Sequence, residues 1–433
     1  MTKARQATAT VTFVDEYAER YQDLFPDVRS FEQFTSVVVG LLAEIKRKTL
    51  PAIAKAVGAE GQALHHFLAY APWSVQEFRT RRLTLLRQAL DGRSFVLCID
   101  ETGDRKKGHT TDYVAHQYIG NLGKLENGIV SVNAYGLLDQ ITFPLLFKVF
   151  KPRTRLKPGD RYKTKPALAV EIIKELLQWG FRFNVVLADS LYGESSDFVS
   201  ELEKLHLKYV VAIRSNHGVW LPADQRVRYT NWRPFERVFS NGKQHTRYIR
   251  EIVFGQRGRI RYYHLTTDPH TLPPQSTWYL MTNLEGNIRK TIGNTYGLRT
   301  WIEYGFKHAK NELGWADFRV TDYTSIERWW EIVCSAYLLV SVQSPVFQQT
   351  GQELLRSGAP ATVTSPDRFA EHRWWDLGQG WKNILNNLRL ILQPYVSLCL
   401  LLPWLLVFDI PCLRAGFAEL TGLMNLFHAS LPT

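Results

Sequence analysis

Two short apolar runs, each closing on an aspartate, constrain this chain more than any other feature. They are SFVLCIDET (residues 94–102) and FNVVLADS (residues 183–190). Both are too short for helices and rich in β-branched and aromatic residues, which marks strands buried on both faces. Asp100 and Asp189 stand at their polar ends.

The surrounding pattern sets the fold class. NGIVSVNAYGLLD and TFPLLFKVFKP read as two more strands, joined as a hairpin near Asp139 and Gln140. Residues 164–179 read as a helix: Thr164 caps it, Ala169, Ile172, Ile173 and Leu176 share one face, and Gly180 ends it. SSDFVSELEKLHL is a second helix and KYVVAIRS a fifth strand. Three strands in meander followed by alternating helix and strand imply a mixed sheet with helices packed on it. Residues 214–292 then switch to short runs such as TRYIREIVF and RIRYYHLTT, separated by Gly, Pro and Asn. That texture is antiparallel β-structure, inserted after the fifth strand.

Helices flank this core. Residues 1–92 carry apolar residues at helical spacing. Pro51 opens one short helix that Gly58 closes, and a second follows over residues 62–68. The pair reads either as a helix-turn-helix with His65 and His66 outward or as a plain helical bundle. Helix resumes over about residues 295–340, and the tail beyond is helical, with residues 357–367 as a linker. The expected divisions are a DNA-binding helical domain (1–92), a core in two parts (93–213 and 293–345), a β-rich insertion (214–292) and a helical C-terminal region (346–433) that could dimerise.

Composition narrows the partners. Hydrophobic residues make up 45% of 433, ample for a core and incompatible with a disordered polyampholyte. Lys+Arg 53 against Asp+Glu 41 leaves a net charge of +12, and 13% of residues are aromatic. Such a chain suits a polyanion, although an ordinary basic enzyme has the same balance. Cys98, Cys334, Cys399 and Cys412 form no CxxC pair, so neither a zinc site nor a disulfide framework is expected. With no apolar signal core at the N-terminus, a cytoplasmic protein is expected. Residues 390–408 contain no charge and approach the length of a membrane span, but Pro394, Pro403 and Gln393 interrupt them. A buried helix pair or a subunit interface is the favoured reading, and no membrane partner is expected.

Carboxylates at the ends of neighbouring strands can converge. With a third from a helix they supply hard oxygen ligands for Mg²⁺ or Mn²⁺, and a metal pair suits phosphodiester chemistry. The alternative is that such aspartates are caps or turn residues. The third acid is sought in YGLRTWIEYGFKHAK. At about 100° per residue, Tyr296, Arg299, Glu303, Lys307 and Lys310 fall within an arc of about 80°. One aromatic, three cations and one acid suit a phosphate backbone better than a solvated or a core face. A simple Glu303–Lys307 pair is the competing explanation.

Tyr296-x2-Arg299-x3-Glu303-x6-Lys310 is similar to the Tyr-Arg-Glu-Lys signature of insertion-sequence DDE transposases. With DETG at 100–103 and ADSLYG at 188–193, the chain resembles the insertion-sequence-701 family, related to the insertion-sequence-4 group, over about residues 93–330. The resemblance implies an α/β fold: an RNase H-like mixed-sheet core with a β-rich insertion between the second Asp and the Glu, flanked by helical regions. It implies a catalytic, metal-binding triad of Asp100, Asp189 and Glu303, using two Mg²⁺ ions with Mn²⁺ as a substitute. Tyr296, Arg299 and Lys310 would hold DNA phosphate beside the cut. In related enzymes a Trp of the insertion receives a displaced base; Trp278 and Trp232 are the candidates here.

Two basic runs support a DNA channel. Residues 148–165 include Arg153 and Arg155 among eight cations, against Asp160 alone. Residues 214–264 hold eleven Lys and Arg, Arg259 and Arg261 among them, against Asp224, Glu236 and Glu251. Gly103-x4-Gly108-His109-Thr110 nearly matches a phosphate loop, but His109 replaces the required lysine. Glu101, Asp104 and Asp112 read as spare acids. The expected function is a cut-and-paste DNA transposase that binds terminal inverted repeats, cleaves them and joins 3′-OH ends to target DNA. It would act as a homodimer in a bacterial cytoplasm, associated with the nucleoid. The alternatives are an idle transposase-derived DNA-binding protein and an RNase H-like nuclease without strand transfer.

Overall fold

In the computed structural model, residues 5–221, 223–348 and 367–431 are described. The expected linker, residues 357–367, therefore lies outside the described residues apart from Asp367. The chain divides into two compact units: Met1–Gly92, Thr110–Asp112 and Phe306–Thr433 in one, Arg93–His109 and Tyr113–Gly305 in the other.

The helical unit packs α1 (Thr12–Glu19), α2 (Val28–Leu42), α3 (Leu50–Val57), α4 (Gly61–Ala69) and α5 (Val75–Leu90) with a central helix, Tyr323–Val342. Side chains cap three of them: Asp27 accepts from Ser30 N, Ser74 from Glu77 N and Asp322 from Ser325 N. Pro51 stands in the first turn of α3, and Gly58 ends it with φ of 67°, a left-handed conformation that favours glycine. His65 and His66 on α4 are exposed. The central helix is buried along almost its whole length, including Trp329 and Trp330. It also buries Glu331, which binds Arg79 at 2.6 Å and Arg82 at 2.9 Å; the Glu331 and Arg82 side chains are fully shielded from solvent.

The C-terminal apolar stretch departs from expectation. Trp381–Val407 is one 27-residue helix with Pro394 and Pro403 inside it. Its first half is the better packed, through Trp381, Leu385, Leu388, Ile391 and Leu392, and the second half buries only Leu405. Leu400, Leu401, Leu402, Trp404, Leu406 and Val407 are exposed, and the following helix, Pro411–Met424, buries no residue. The buried helix pair is thus corrected to a half-docked helix and an exposed one. A charge-free run states that it avoids water, not what covers it. By length and composition alone the first helix could also cross a membrane.

A sheet of eleven strands organises the other unit. β1 (Phe95–Arg105) is followed by β2 (Ala115–Ile119), β3 (Lys124–Leu138) and β4 (Ile141–Val149). After α6 (Lys165–Gln178) come β5 (Phe183–Ala188), α7 (Ser190–Gly193), α8 (Ser196–Lys204) and β6 (Tyr209–Ile213). β1, β5 and β6 run parallel and side by side, while β3 lies antiparallel on the other edge of β1 and carries β2 and β4. This is the mixed α/β core expected of an RNase H-like fold. Thr164 caps α6 through Ala167 N, and Leu168, Ala169, Ile172, Ile173 and Leu176 are its buried face. The apolar pattern gives no sign of β2, whose AHQYI run is mostly polar and alternates between half-buried and exposed positions.

The insertion comprises β7 (Val227–Tyr229), β8 (Arg233–Val238), β9 (Gln244–Phe254), β10 (Arg261–Thr266) and β11 (Trp278–Thr282). It continues the core sheet. β11 pairs antiparallel with β6, and β10, β9 and β7 follow outward, with β8 on β9. β8 and β9 then dock on α9 (Ile292–Gly297) and α10 (Thr300–Lys307). Asn294 accepts from Val238 N at 2.9 Å and donates to Glu236 O at 2.8 Å, and the Ser240 and Tyr304 hydroxyls lie 2.9 Å apart.

Candidate active site

The parallel pairing of β1 and β5 stops at Ile99 and Ala188, so Asp100 and Asp189 stand at one level just past it. β1 itself runs on to Arg105 along β3, with Asp100 opposite Asn133. Asp100 therefore ends only the parallel half of its strand, a correction to the expectation from sequence, because the longer β3 keeps pairing after β5 has turned away. Gly103 lies inside this strand, so the near phosphate-loop pattern starts within β1 and not in a loop that follows it. Asp189 caps α7, its Oδ1 accepting from Leu191 N at 2.9 Å. α7 packs so close to β6 that a Cβ on Gly193 would strike the Ala212 carbonyl.

Both carboxyls resist ionisation. Burial pushes Asp100 up to about 7; Arg299 opposes this, and the negative charges of Asp189 and Glu101 add to it. Asp189 is raised by burial and then by Glu101. Glu101, a spare acid by sequence, is thus part of the site. It accepts from Lys165 Nζ and from Tyr192 OH, each at 3.0 Å. Tyr192, three residues after Asp189 in ADSLYG, is the sequence signal for that contact.

Arg299 occupies the break between α9 and α10. Its Nη1 lies 2.7 Å from Asp100 Oδ2 and its Nη2 3.1 Å from Glu303 Oε1. Tyr296, one turn earlier, is half-buried, and burial raises its phenol to about 12. The single regular helix expected here is corrected to α9, α10 and a π-turn over His308–Glu312. The arc of about 80° assumed uninterrupted winding, whereas the backbone resets at residues 298–299 and again near Lys310. Lys307 and Lys310 follow the unit boundary at Gly305: Lys307 is exposed at the end of α10, and Lys310 is half-buried in the π-turn. Among the described residues, no three His, Cys, Asp or Glu side chains stand close enough together to hold a metal. Asp100 and Glu303 instead share the Arg299 guanidinium, a cation already drawn to the two acids.

The remaining candidates are spread over the unit. Arg153 stacks over Tyr162 at 4.2 Å, and Arg155 donates to the His109 carbonyl at 2.8 Å. Arg259 lies 3.6 Å from Glu203, before β10 begins. Arg261 is 3.1 Å from Glu251, a buried acid that also holds Arg257 and Arg289. Trp232 packs on His264 with Arg250 above it at 4.4 Å. Trp278 is 38% exposed, and Arg247 lies 4.9 Å from its ring.

Comparison with known proteins follows the same line. Residues 22–246 match a family described as DDE superfamily endonuclease, a stretch that contains Asp100 and Asp189 and stops before Glu303. A protein of Microchaete diplosiphon, described as a probable transposase for insertion sequence element IS701, is 56% identical over 329 residues. That alignment covers 76% of this chain and 87% of the relative.

Proposed function

The chain belongs to the IS701-type transposases of the DDE endonuclease superfamily, and on that footing we propose that Asp100, Asp189 and Glu303 are its catalytic acids. One observation carries the reading. Asp100 and Asp189 stand at one level where the parallel pairing of β1 and β5 ends, and Arg299 ties Asp100 to Glu303. Carboxylates crowded and desolvated in this way call for positive charge.

The donor set fits hard divalent ions: three carboxylates, no thiol or imidazole among them, two held against ionisation by burial. Asp100, Asp189 and Glu303 would hold them. Two Mg²⁺ ions, or Mn²⁺ in their place, would polarise the attacking oxygen and offset charge on the leaving one.

The chain's own residues supply the rest. Arg299 exchanges its carboxylate partners for a phosphate oxygen, to which its planar fork is matched. Tyr296, with its phenol raised to about 12, stays protonated at neutral pH and donates to phosphate. Lys165 and Tyr192 fix Glu101, whose charge adds to burial in keeping Asp189 and Asp100 proton-avid until cations arrive. The substrate is double-stranded DNA, first the terminal repeats and then the target. Cleavage exposes a 3′-OH that attacks the target, and holding two ends calls for a homodimer at the bacterial nucleoid.

The test incubates the full chain with its element ends and Mg²⁺ and reads product termini on a denaturing gel. Cut ends with 3′-OH and joined products are expected. Cut ends without joining would leave a nuclease; binding without cutting would leave an idle DNA-binding protein. Glu303→Gln should bind ends and not cut them. Normal cutting by that variant removes Glu303 from the triad.

A further inference from the structure

The β8–β9 hairpin holds two arginines that no acid among the described residues balances. Register places Phe235 opposite Arg247 and Arg237 opposite His245, so Arg237 and Arg247 are diagonal neighbours on one face. Arg237 is 7% exposed. It donates to the Val238 carbonyl at 2.8 Å and to Asn294 Oδ1 at 3.2 Å. Its guanidinium lies against Gly297 at the end of α9, where a Cβ would collide with it. Among the described residues, Arg247 has no such acceptors. Its Nε and Nη1 are buried without a hydrogen-bond partner, and its guanidinium is flanked by Phe239 at 5.6 Å and Trp278 at 4.9 Å.

The electrostatics are equally one-sided. Burial lowers the pKa of both guanidinium groups, and Arg247 lowers that of Arg237 further; no carboxylate among the described residues acts on either. Three other arginines make the contrast. Arg257, Arg261 and Arg289 converge on Glu251. Two repelling cations, one buried and the other half-buried with two nitrogens lacking a hydrogen-bond partner, are costly unless an anion completes them. The aromatic walls hold the Arg247 fork in one plane, which suits a tetrahedral oxyanion.

We infer that Arg247, framed by Phe239 and Trp278 and reinforced by Arg237, is a binding site for a phosphodiester group of DNA. The hairpin is bonded to α9 and α10, the helices on either side of Arg299. A phosphate held there anchors the strand to the same rigid frame. This rests on the DNA reading above, and the test separates the two.

The measurement is anisotropy of a fluorescein-labelled duplex against NaCl concentration, in EDTA, with the full chain. Arg247→Gln should bind about tenfold more weakly, with the slope of log K against log salt shallower by about 0.9. Arg247→Lys keeps the charge and should restore the slope while affinity stays below wild type. Lys204→Gln, which breaks an exposed pair with Glu201, should match wild type. Circular dichroism should show Arg247→Gln folded, since the substitution removes a repulsion. In parallel, inorganic phosphate should raise the melting temperature of the wild type and not of Arg247→Gln. Arg247→Gln that matches wild type in affinity and slope overturns the inference. So does weaker binding with an unchanged slope, which would mean a structural role. Phosphate protection without any change in duplex binding would leave a free-anion site and overturn it as a DNA contact. A wild type that binds no duplex overturns the DNA reading itself.

Discussion

Arg299 lies 2.7 Å from Asp100 across 199 positions of sequence. The same guanidinium reaches Glu303, four residues on. Two acids that would repel each other share one delocalised cation, and burial raises the strength of that attraction. The contact explains why an arginine sits in the break between α9 and α10, where its side chain can reach β1.

Arg299→Ala should fold and should cut element ends at least about 100-fold more slowly, the scale of losing a preorganised charge at a reacting phosphate. Arg299→Lys should recover little, because an ammonium cannot make both contacts at once. Single-turnover nicking rates check both; near-normal cutting by Arg299→Ala would remove it from the reaction.

Gly193→Ala should disturb Asp189 without touching it. The added methyl meets the Ala212 carbonyl on β6, so α7 and the loop it starts from must move. A cost of about 1–3 kcal/mol is expected from such overpacking, with slower cutting. Urea titration and nicking assays test the pair of effects; an unchanged midpoint would show that β6 yields freely.

Glu331→Ala should be among the most damaging changes in the helical unit. It removes the carboxylate shared by Arg79, which keeps Glu327, and the fully buried Arg82, and removing one partner of a buried ion pair costs about 3–5 kcal/mol. A thermal melt reads it directly. Glu201→Ala, which removes only the partner of exposed lysines, serves as the comparison and should change stability by less than about 1 kcal/mol.

Acid should weaken the fold through two histidines. Burial lowers both His264 and His308 to about 4, with Arg250 adding to the effect on His264. His264 is stacked on Tyr279 and His308 on Trp381. Their folded pKa values lie below the unfolded value of about 6.5, so between those limits the unfolded chain binds more protons. Stability should therefore fall as pH drops from about 6.5 to about 4, and be unaffected by these groups above that window. His264→Phe should flatten the decline in urea titrations across this range; an identical slope would mean that His264 already titrates normally.

Much of the site is legible in the amino-acid sequence alone. Asp100 and Asp189 stand out because they follow short apolar runs, and the spacing of Tyr296, Arg299, Glu303 and Lys310 points to the family. Thr164, Pro51 and Gly58 mark helix limits where the fold has them. These features are local: backbone preference, capping and apolar periodicity act over a few residues. Only tertiary structure decided the rest. It paired β11 with β6, so that the insertion extends the core sheet. It broke the expected long helix at Arg299, gave Glu101 its Lys165 and Tyr192 partners, and left Leu400, Leu401, Leu402, Trp404, Leu406 and Val407 of the C-terminal helix exposed. A side chain's own sequence window states which surfaces avoid water. Which surface it meets depends on pairings made between residues far apart in the chain.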